Sequence, residues 1–300
     1  MAHSMAPSTV AAMLRIEFGI RKVKLALRGL KKSILFTVIK YGAGFVWLRN
    51  PVGSRRVIIG MIIQKLRRVL EGRTPRIGVA YDLWSNSYDD QPGNLVWDMD
   101  EELFERFLAL VDLRGKTVVD IGCGTGRHWP VLLASGPVSL TGYDVSRGML
   151  DKLLSKFPQA RVGLIGEDGI APLFTGSVDI IVSTLALAHM PNPEPVLRNW
   201  ARALKPGGCL LLTDFHPAAL SHGAKRTFVH ENRSFVARSF VHPLPEVSRL
   251  LISLGLEVLD SGERVVDESV RHYYEQKGAL RAYEQSKGVP MVYGLLCIKK

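Results

Sequence analysis

The sequence predicts an α/β fold in which helices cover both faces of a mostly parallel, doubly wound sheet. From residue 77 onward, apolar strand-like segments alternate with amphipathic helical segments. The first of these strands, residues 118–121, runs directly into a turn with glycine at every second position, 122–126. The second strand ends at an acid, Asp144. Because glycine permits close approach of the backbone to a ligand, the turn predicts a nucleotide-type site.

Positive charge is concentrated in the first quarter of the chain. Residues 1–76 contain 16 Lys and Arg against two acids, whereas the remainder has a net charge of −3. Apolar residues recur at helical spacing over 13–34 and 57–70, with basic residues between them. We therefore predict a basic amphipathic helical module over 1–76 and a second, α/β domain over 77–300.

Several roles fit the basic module. It could contact a membrane surface through residues 13–70, or join the subunits of a homo-oligomer or cap the substrate. A cleaved organelle-targeting peptide and a plain solvated helix pair are further alternatives. The apolar stretch 33–48 is shorter than the roughly 20 residues of a spanning helix. The three scattered cysteines form no metal-binding or disulfide pattern, so we expect no metal centre and a cytoplasmic protein, peripheral to the membrane if the module binds it.

The order of elements in the α/β domain follows from periodicity and turn residues. Helices are predicted at 100–113, around 149–154, around 196–204 and at 244–254. After the first strand, at 118–121, further strands are predicted at 138–143, 161–165, 178–183, 209–213, 255–259 and 293–299. Between the fifth and sixth strands, residues 227–230 and 234–241 predict a hairpin. Since ligands bind outside the carboxyl ends of strands in such sheets, we expect this hairpin to be a substrate flap.

The glycine turn resembles that of class I S-adenosylmethionine-dependent methyltransferases, of the small-molecule type found in ubiquinone and menaquinone biosynthesis. Matching segments span residues 77–215, from Tyr81-Asp82 through the turn and Asp144 to the Lys205-Pro206-Gly207-Gly208 turn. The G-x-G-x-x-G spacing that suits a pyrophosphate is not present. The resemblance implies a Rossmann-like, seven-stranded sheet whose antiparallel last strand lies beside the fifth, and S-adenosyl-L-methionine as the cofactor.

The resemblance also implies which residues hold this cofactor. Asp144 would accept hydrogen bonds from the ribose hydroxyls, and Asp168, with Glu167 as the alternative, would meet the adenine. The implied set is Tyr81, Asp120, Gly122, Gly124, Gly126, Asp144, Asp168 and Gly169.

Methyl transfer to a hydroxyl or carbon acid also requires a base. His189, just after the fourth strand, is the first candidate, and His216, after the fifth, is the second. The basic apolar arm and the flap suggest a lipophilic small molecule, methylated on O or C, such as a phenol, quinone, prenylated compound or other secondary metabolite. Two alternatives are a nucleic-acid methyltransferase, whose usual motif is missing at residues 183–186, and a non-catalytic, membrane-bound cofactor-binding subunit that activates a partner.

Overall fold

The computed structural model describes the backbone of three short N-terminal segments and all of residues 75–300. The chain divides into two compact units, Met1–Glu71 and Gly72–Lys300. In the part of the chain that the structure describes, no helix has the length and apolarity that crossing a bilayer requires.

The described segments of the N-terminal unit are strands. These are β1 (Lys22–Val23), β2 (Leu35–Tyr41) and β3 (Gly44–Asn50), which pair antiparallel in that order. The prediction of a helical module is therefore wrong for these residues. Short apolar runs do not distinguish helix from strand by periodicity, and β2 and β3 are rich in the β-branched and aromatic residues that favour strands. The rest of the predicted helices at 13–34 and 57–70 lies outside the described residues.

The second unit contains the predicted seven-stranded sheet, in the order β11-β12-β8-β7-β4-β5-β6. Pairing is parallel from β8 through β7, β4 and β5 to β6, and antiparallel where β12 meets β8 and β11. This confirms the Rossmann-like fold class with its antiparallel last strand. The strands are β4 (Thr117–Ile121), β5 (Ser139–Asp144), β6 (Arg161–Leu164), β7 (Val178–Thr184), β8 (Leu204–Phe215), β11 (Leu256–Val265) and β12 (Pro290–Lys299).

Helices cover both faces of this sheet. They are α1 (Ile77–Trp84), α2 (Leu95–Leu108), α3 (Trp129–Ala134), α4 (Arg147–Lys156), α5 (Pro193–Ala203), α6 (Pro217–Ser221), α7 (Leu244–Ser253), α8 (Arg271–Gln276) and α9 (Leu280–Ser286). Successive residues of β4 point to opposite faces: Val118 packs in the core with Phe104 of α2, and Val119 in the core with Trp200 of α5. The chain order reverses between β4 and β7, which is where an open α/β sheet binds its ligand.

Several boundaries differ from the prediction. Helix α2 begins five residues earlier than expected because the Asn94 side chain caps it, accepting hydrogen bonds from the backbone N–H groups of Val96 and Trp97. Strand β8 begins at Leu204, and its pairing with β7 shifts register between Val178 and Ile180, so it includes the Lys-Pro-Gly-Gly segment. Helices α8 and α9 were not predicted.

The predicted hairpin is present, as β9 (Arg226–His230) and β10 (Arg233–Ala237). Its two-residue loop, Glu231 and Asn232, has φ angles of 48° and 59°. Positive φ at both loop residues is typical of the tight turns that match the twist of antiparallel strands. The inward side of β9 carries Arg226 and Phe228, which are both buried.

Candidate active site

A cleft opens at the carboxyl ends of the central strands. It brings together seven of the residues singled out from the sequence: Tyr81, Gly122, Gly124, Asp144, Glu167, Gly169 and His189. The remaining lining residues are Ile77, Tyr88, Val145, Met149, Ile165, Thr184, Leu185, Ala186 and Met190. Most of these are apolar, which is usual for a site that binds an organic ligand.

The glycine turn forms the floor of this cleft. Gly122 has φ of +77°, and a Cβ added there would lie 2.4 Å from the Cβ of Ala186. The N–H groups of Gly122 and Cys123 donate to the carbonyl of Tyr143 at 2.7 and 3.1 Å. Only glycine satisfies both the backbone conformation and the close approach at position 122.

Asp144 links the turn to the end of β5. Its Oδ2 accepts from the N–H of Gly124 and its Oδ1 from the N–H of Ser146, both at 2.9 Å. The residue is 7% exposed, and burial raises the pKa of its carboxyl to about 6, against the lowering effect of these backbone donors. A carboxylate has lone pairs for about four hydrogen bonds, so two acceptor positions remain for a ligand.

Two positions of the glycine-turn motif that were predicted to contact the cofactor, one acid and one glycine, lie outside the cleft lining. Asp120 is buried under the turn and accepts from the indole N–H of Trp129 at 2.9 Å; burial raises its pKa to about 7. Gly126 packs closely against Leu153, Phe157 and Trp129. Both residues therefore shape the turn from behind. The sequence pattern does not separate them from Gly122 and Gly124, because every member of the motif is required for the same turn.

After β6 the structure distinguishes between two neighbouring acids. Glu167 lines the cleft and forms an ion pair with Arg76 at 3.2 Å. Asp168 does not line it, and its Oδ1 instead accepts from the N–H of Ile170 at 3.2 Å. Glu167, the alternative residue for the adenine, is thus the one on the cleft side. Asp168 lies next to the turn at Gly169, where φ is +72°, and its side chain turns back to its own backbone.

His189 has a defined tautomer. Its Nδ1 lies 2.6 Å from the carbonyl oxygen of Arg238, which only accepts, so Nδ1 carries the hydrogen. Its Nε2 therefore accepts from the hydroxyl of Tyr81 at 2.9 Å. Burial, followed by the charge of Arg226, lowers the pKa of His189 to about 4. Burial raises the pKa of the Tyr81 hydroxyl, so both members of this pair are neutral at neutral pH.

A strained turn after β7 presents His189 to the cleft. Leu185 has φ of +52°, which is unusual for a leucine, and its N–H donates to the carbonyl of Thr213 at 2.9 Å. The N–H groups of Ala188 and Phe215 donate to the two oxygens of buried Asp214. Burial raises the pKa of Asp214 to about 7. Strand β8 therefore stabilises the strained turn through hydrogen bonds, as is common at functional sites.

His216 lies away from this pair. It is the N-cap of α6, where its Nδ1 accepts from the N–H of Ala218 at 3.1 Å, and its Nε2 is 3.3 Å from an oxygen of Glu263. The structure thus gives the second candidate base a capping role and does not include it in the cleft. Among residues 75–300 no group of three His, Cys, Asp or Glu side chains is arranged to hold a metal ion.

Two residues of this region are absent from the predicted set of site residues, although Tyr88-Asp89 belongs to the segment that carries the family resemblance. Tyr88 lines the cleft, and Arg226 of β9 donates from Nη2 to the Tyr88 hydroxyl at 3.1 Å. The alternation of β9 was a usable signal, because it places Arg226 on the same inward side as Phe228.

Comparison with known proteins agrees with this geometry. Residues 119–212 match a family model described as "Methyltransferase domain". An uncharacterized methyltransferase of Emericella nidulans is 28% identical over 253 residues, covering 71% of this chain and 86% of the relative. A ubiquinone biosynthesis O-methyltransferase of Coxiella burnetii is 26% identical, covering 61% of this chain and 80% of the relative. The 27-O-demethylrifamycin SV methyltransferase of Amycolatopsis mediterranei is 30% identical, covering 50% of this chain and 63% of the relative.

Solved structures share the fold. An S-adenosylmethionine-dependent methyltransferase from Mesorhizobium loti superposes with a TM-score of 0.52 at 20% identity, covering 65% of this chain and 96% of that chain. Geranyl diphosphate C-methyltransferase from Streptomyces coelicolor, in complex with S-adenosyl-L-homocysteine, superposes with a TM-score of 0.51 at 14% identity, covering 67% of this chain and 76% of that chain. The protein is an S-adenosylmethionine-dependent methyltransferase. Its cofactor is S-adenosyl-L-methionine.

Proposed function

We propose that this enzyme methylates an oxygen or carbon atom of a lipophilic small molecule, such as a phenol, a quinone, a prenylated compound or another secondary metabolite. The observation that carries the proposal is the neutral Tyr81–His189 pair in a largely apolar cleft. The names of two relatives, an O-methyltransferase of ubiquinone biosynthesis and a methyltransferase of 27-O-demethylrifamycin SV, support the same class of acceptor.

The residues present fit the cofactor. Gly122 leaves the space that a Cβ would fill, and Asp144 keeps two acceptor positions at the end of β5. We assign the ribose hydroxyls to Asp144, the adenine end to Glu167 and Gly169, and the backbone approach to Gly122 and Gly124. Asp120, Gly126 and Asp168 support these positions from outside the cleft. When bound, the cofactor supplies an electrophilic methyl group.

Tyr81 and His189 then handle the proton of the acceptor. The Tyr81 hydroxyl donates to His189 Nε2, so its oxygen has lone pairs available for a substrate O–H. As the acceptor becomes more acidic during transfer, its proton moves to the Tyr81 oxygen and the Tyr81 proton moves to Nε2. The carbonyl of Arg238 then accepts from Nδ1–H of the resulting imidazolium. Alignment of the acceptor in the cleft supplies the rest of the acceleration.

The test is turnover by the purified full-length chain with a panel of phenols, quinones and prenyl compounds, followed by product mass spectrometry. We expect a product heavier than its substrate by one CH₂, formed only with the cofactor. Nucleic acid incubated in parallel should remain unmethylated. If the protein binds S-adenosylhomocysteine but methylates nothing in the panel, it is better explained as a non-catalytic cofactor-binding subunit. If the nucleic acid is methylated instead, the protein is better explained as a nucleic-acid methyltransferase.

For the N-terminal unit we propose association, with a membrane surface or with a second copy of the chain. Residues 1–71 hold 14 Lys and Arg against two acids, and this net charge of +12 supports the role. Flotation with anionic vesicles and light scattering should both be compared between the full chain and a variant without residues 1–71. We expect the deletion to reduce vesicle binding or oligomer mass while leaving S-adenosylhomocysteine affinity within about threefold, a change of less than about 1 kcal/mol. If neither vesicle binding nor mass changes, the proposed association is wrong.

A further inference from the structure

Arg226 is a buried cation next to the cleft. The residue is 7% exposed, and its guanidinium carbon lies between 5.4 and 6.0 Å from the centroids of four aromatic rings. These belong to Tyr81, Trp84, Tyr88 and Phe215. Because Tyr81 and Tyr88 line the cleft, only one layer of aromatic side chains separates the cation from the ligand space.

The charge of Arg226 lacks an anionic partner among residues 75–300. Its hydrogen bond within that part of the chain goes to a neutral group, the Tyr88 hydroxyl, and no carboxylate there forms a salt bridge with it. Asp214 acts on it only from a distance, because the Asp214 carboxylate is hydrogen-bonded to the backbone N–H groups of Ala188 and Phe215 and not to the guanidinium. Burying a guanidinium without a counter-ion is costly. Cation–π contacts with the four rings offset part of that cost.

Tyr88 connects this cation to the cleft. Its oxygen accepts from Arg226, so its own O–H hydrogen remains available, and the neighbouring positive charge makes it a stronger donor. The Tyr81 hydroxyl, by contrast, already donates to His189. At this end of the cleft the described side chains therefore offer an acceptor at Tyr81 and a polarised donor at Tyr88.

We propose that Tyr88 and Arg226 together bind an oxyanion of the methyl acceptor, so that the substrate is an acid, with a carboxylate as the best match. The Tyr88 hydroxyl donates to the anion directly, and Arg226 supplies the compensating charge from behind it. This inference rests on the proposed function and narrows its substrate class. It makes Tyr88 and Arg226 determinants of specificity, whereas the Tyr81–His189 pair receives the proton.

The test compares matched acids and amides. Aromatic and aliphatic carboxylic acids, including 2-naphthoate, and their amides are titrated calorimetrically into the full-length enzyme saturated with S-adenosylhomocysteine. We expect acids to bind at least about tenfold more tightly than their amides. Tyr88→Phe and Arg226→Met should each weaken acid binding by about tenfold to a hundredfold, the scale of a lost hydrogen bond to a charged group, and leave amide binding unchanged. Arg226→Lys, which keeps the charge, should lose less.

Two controls separate this role from a structural one. Arg233→Met removes an exposed arginine from the partner strand of the same hairpin and should leave acid binding unchanged. Tyr88→Phe keeps the ring that packs on Trp84, and the stacking of Phe228 on Trp84 at 4.8 Å does not involve the Tyr88 hydroxyl, so the hairpin should stay in place and S-adenosylhomocysteine affinity should be retained. Equal losses for acids and amides, or no acid preference anywhere in the panel, would overturn the proposal. If the carboxylate proposal fails but neutral acceptors are methylated, the proposed small-molecule methyltransferase function still holds. If no acceptor of any kind is methylated, the proposed function itself is wrong.

Discussion

Replacing Asp144 with asparagine tests the cofactor site most directly. The Asp144 carboxylate accepts from Gly124 N–H and Ser146 N–H at 2.9 Å each and keeps two acceptor positions for the ribose hydroxyls. Asp144→Ala would leave both backbone donors without a partner, at about 1–3 kcal/mol each, so it would mix stability with binding. Asp144→Asn keeps the shape of the side chain and one acceptor oxygen, so it leaves one backbone donor without a partner instead of two and is the sharper variant.

The expected loss follows from the hydrogen bonds that the amide cannot make. A hydrogen bond to an ionised group contributes about 1.5–3 kcal/mol, so losing one of the two ribose contacts should weaken S-adenosylhomocysteine binding by about 10- to 150-fold. The wild-type affinity should also depend on pH. With the pKa of Asp144 raised to about 6 in the free protein, protonation below that pH removes the acceptor. Affinity should therefore be nearly constant above about pH 7 and fall progressively as the pH drops through 6, and this fall should vanish in Asp144→Asn.

Titration calorimetry between pH 5 and 8 measures both effects. Asp168→Asn is the matched control, because that side chain lies outside the cleft lining and accepts only from its own loop at Ile170 N–H. We expect it to change affinity by less than about threefold, within about 1 kcal/mol. Wild-type affinity in Asp144→Asn would show that the ribose is not held by this carboxylate, and a pH dependence that persists in the variant would assign the titration to another group.

Two further predictions concern the base and the glycine turn. His189→Gln should slow methyl transfer by about a hundredfold without changing S-adenosylhomocysteine affinity. Because the pKa of His189 is lowered to about 4, any rise of the wild-type rate with pH that His189 causes should lie near pH 4 and not in the ordinary imidazole range. An unchanged rate in the variant would leave His189 with a structural role. Gly122→Ala should reduce the free energy of unfolding by about 2 kcal/mol or more and abolish cofactor binding, because its Cβ would meet Ala186 at 2.4 Å. Gly115→Ala, which also has positive φ but no neighbour within 4 Å, measures the backbone strain alone, so equal losses in the two variants would contradict the steric argument.

Much of the α/β domain was predictable because it follows local rules. Alternating strand and helix patterns, the glycine turn and the acid at the end of β5 each depend on residues close together in sequence, and the structure confirms the sheet that they imply. The tight loop of the hairpin was predictable for the same reason. The N-terminal unit shows the limit of such rules, because β2 and β3 are strands where an apolar basic segment suggested helices. Their conformation depends on pairing with a neighbouring strand, and the spacing of apolar residues within one segment does not reveal that partner.

The chemistry of the site depended on contacts between distant segments. The neutral tautomer of His189 is set by the Arg238 carbonyl and the Tyr81 hydroxyl, 49 and 108 residues away. The sequence alone placed Glu167 and Asp168 at the same turn, and only their packing shows which one lines the cleft. The burial of Arg226 among aromatic rings from residues 81–88 and from Phe215 was likewise invisible from composition. A sequence by itself determines which residue types are available near a strand end, but their protonation and direction depend on burial and on partners that only the tertiary structure brings together.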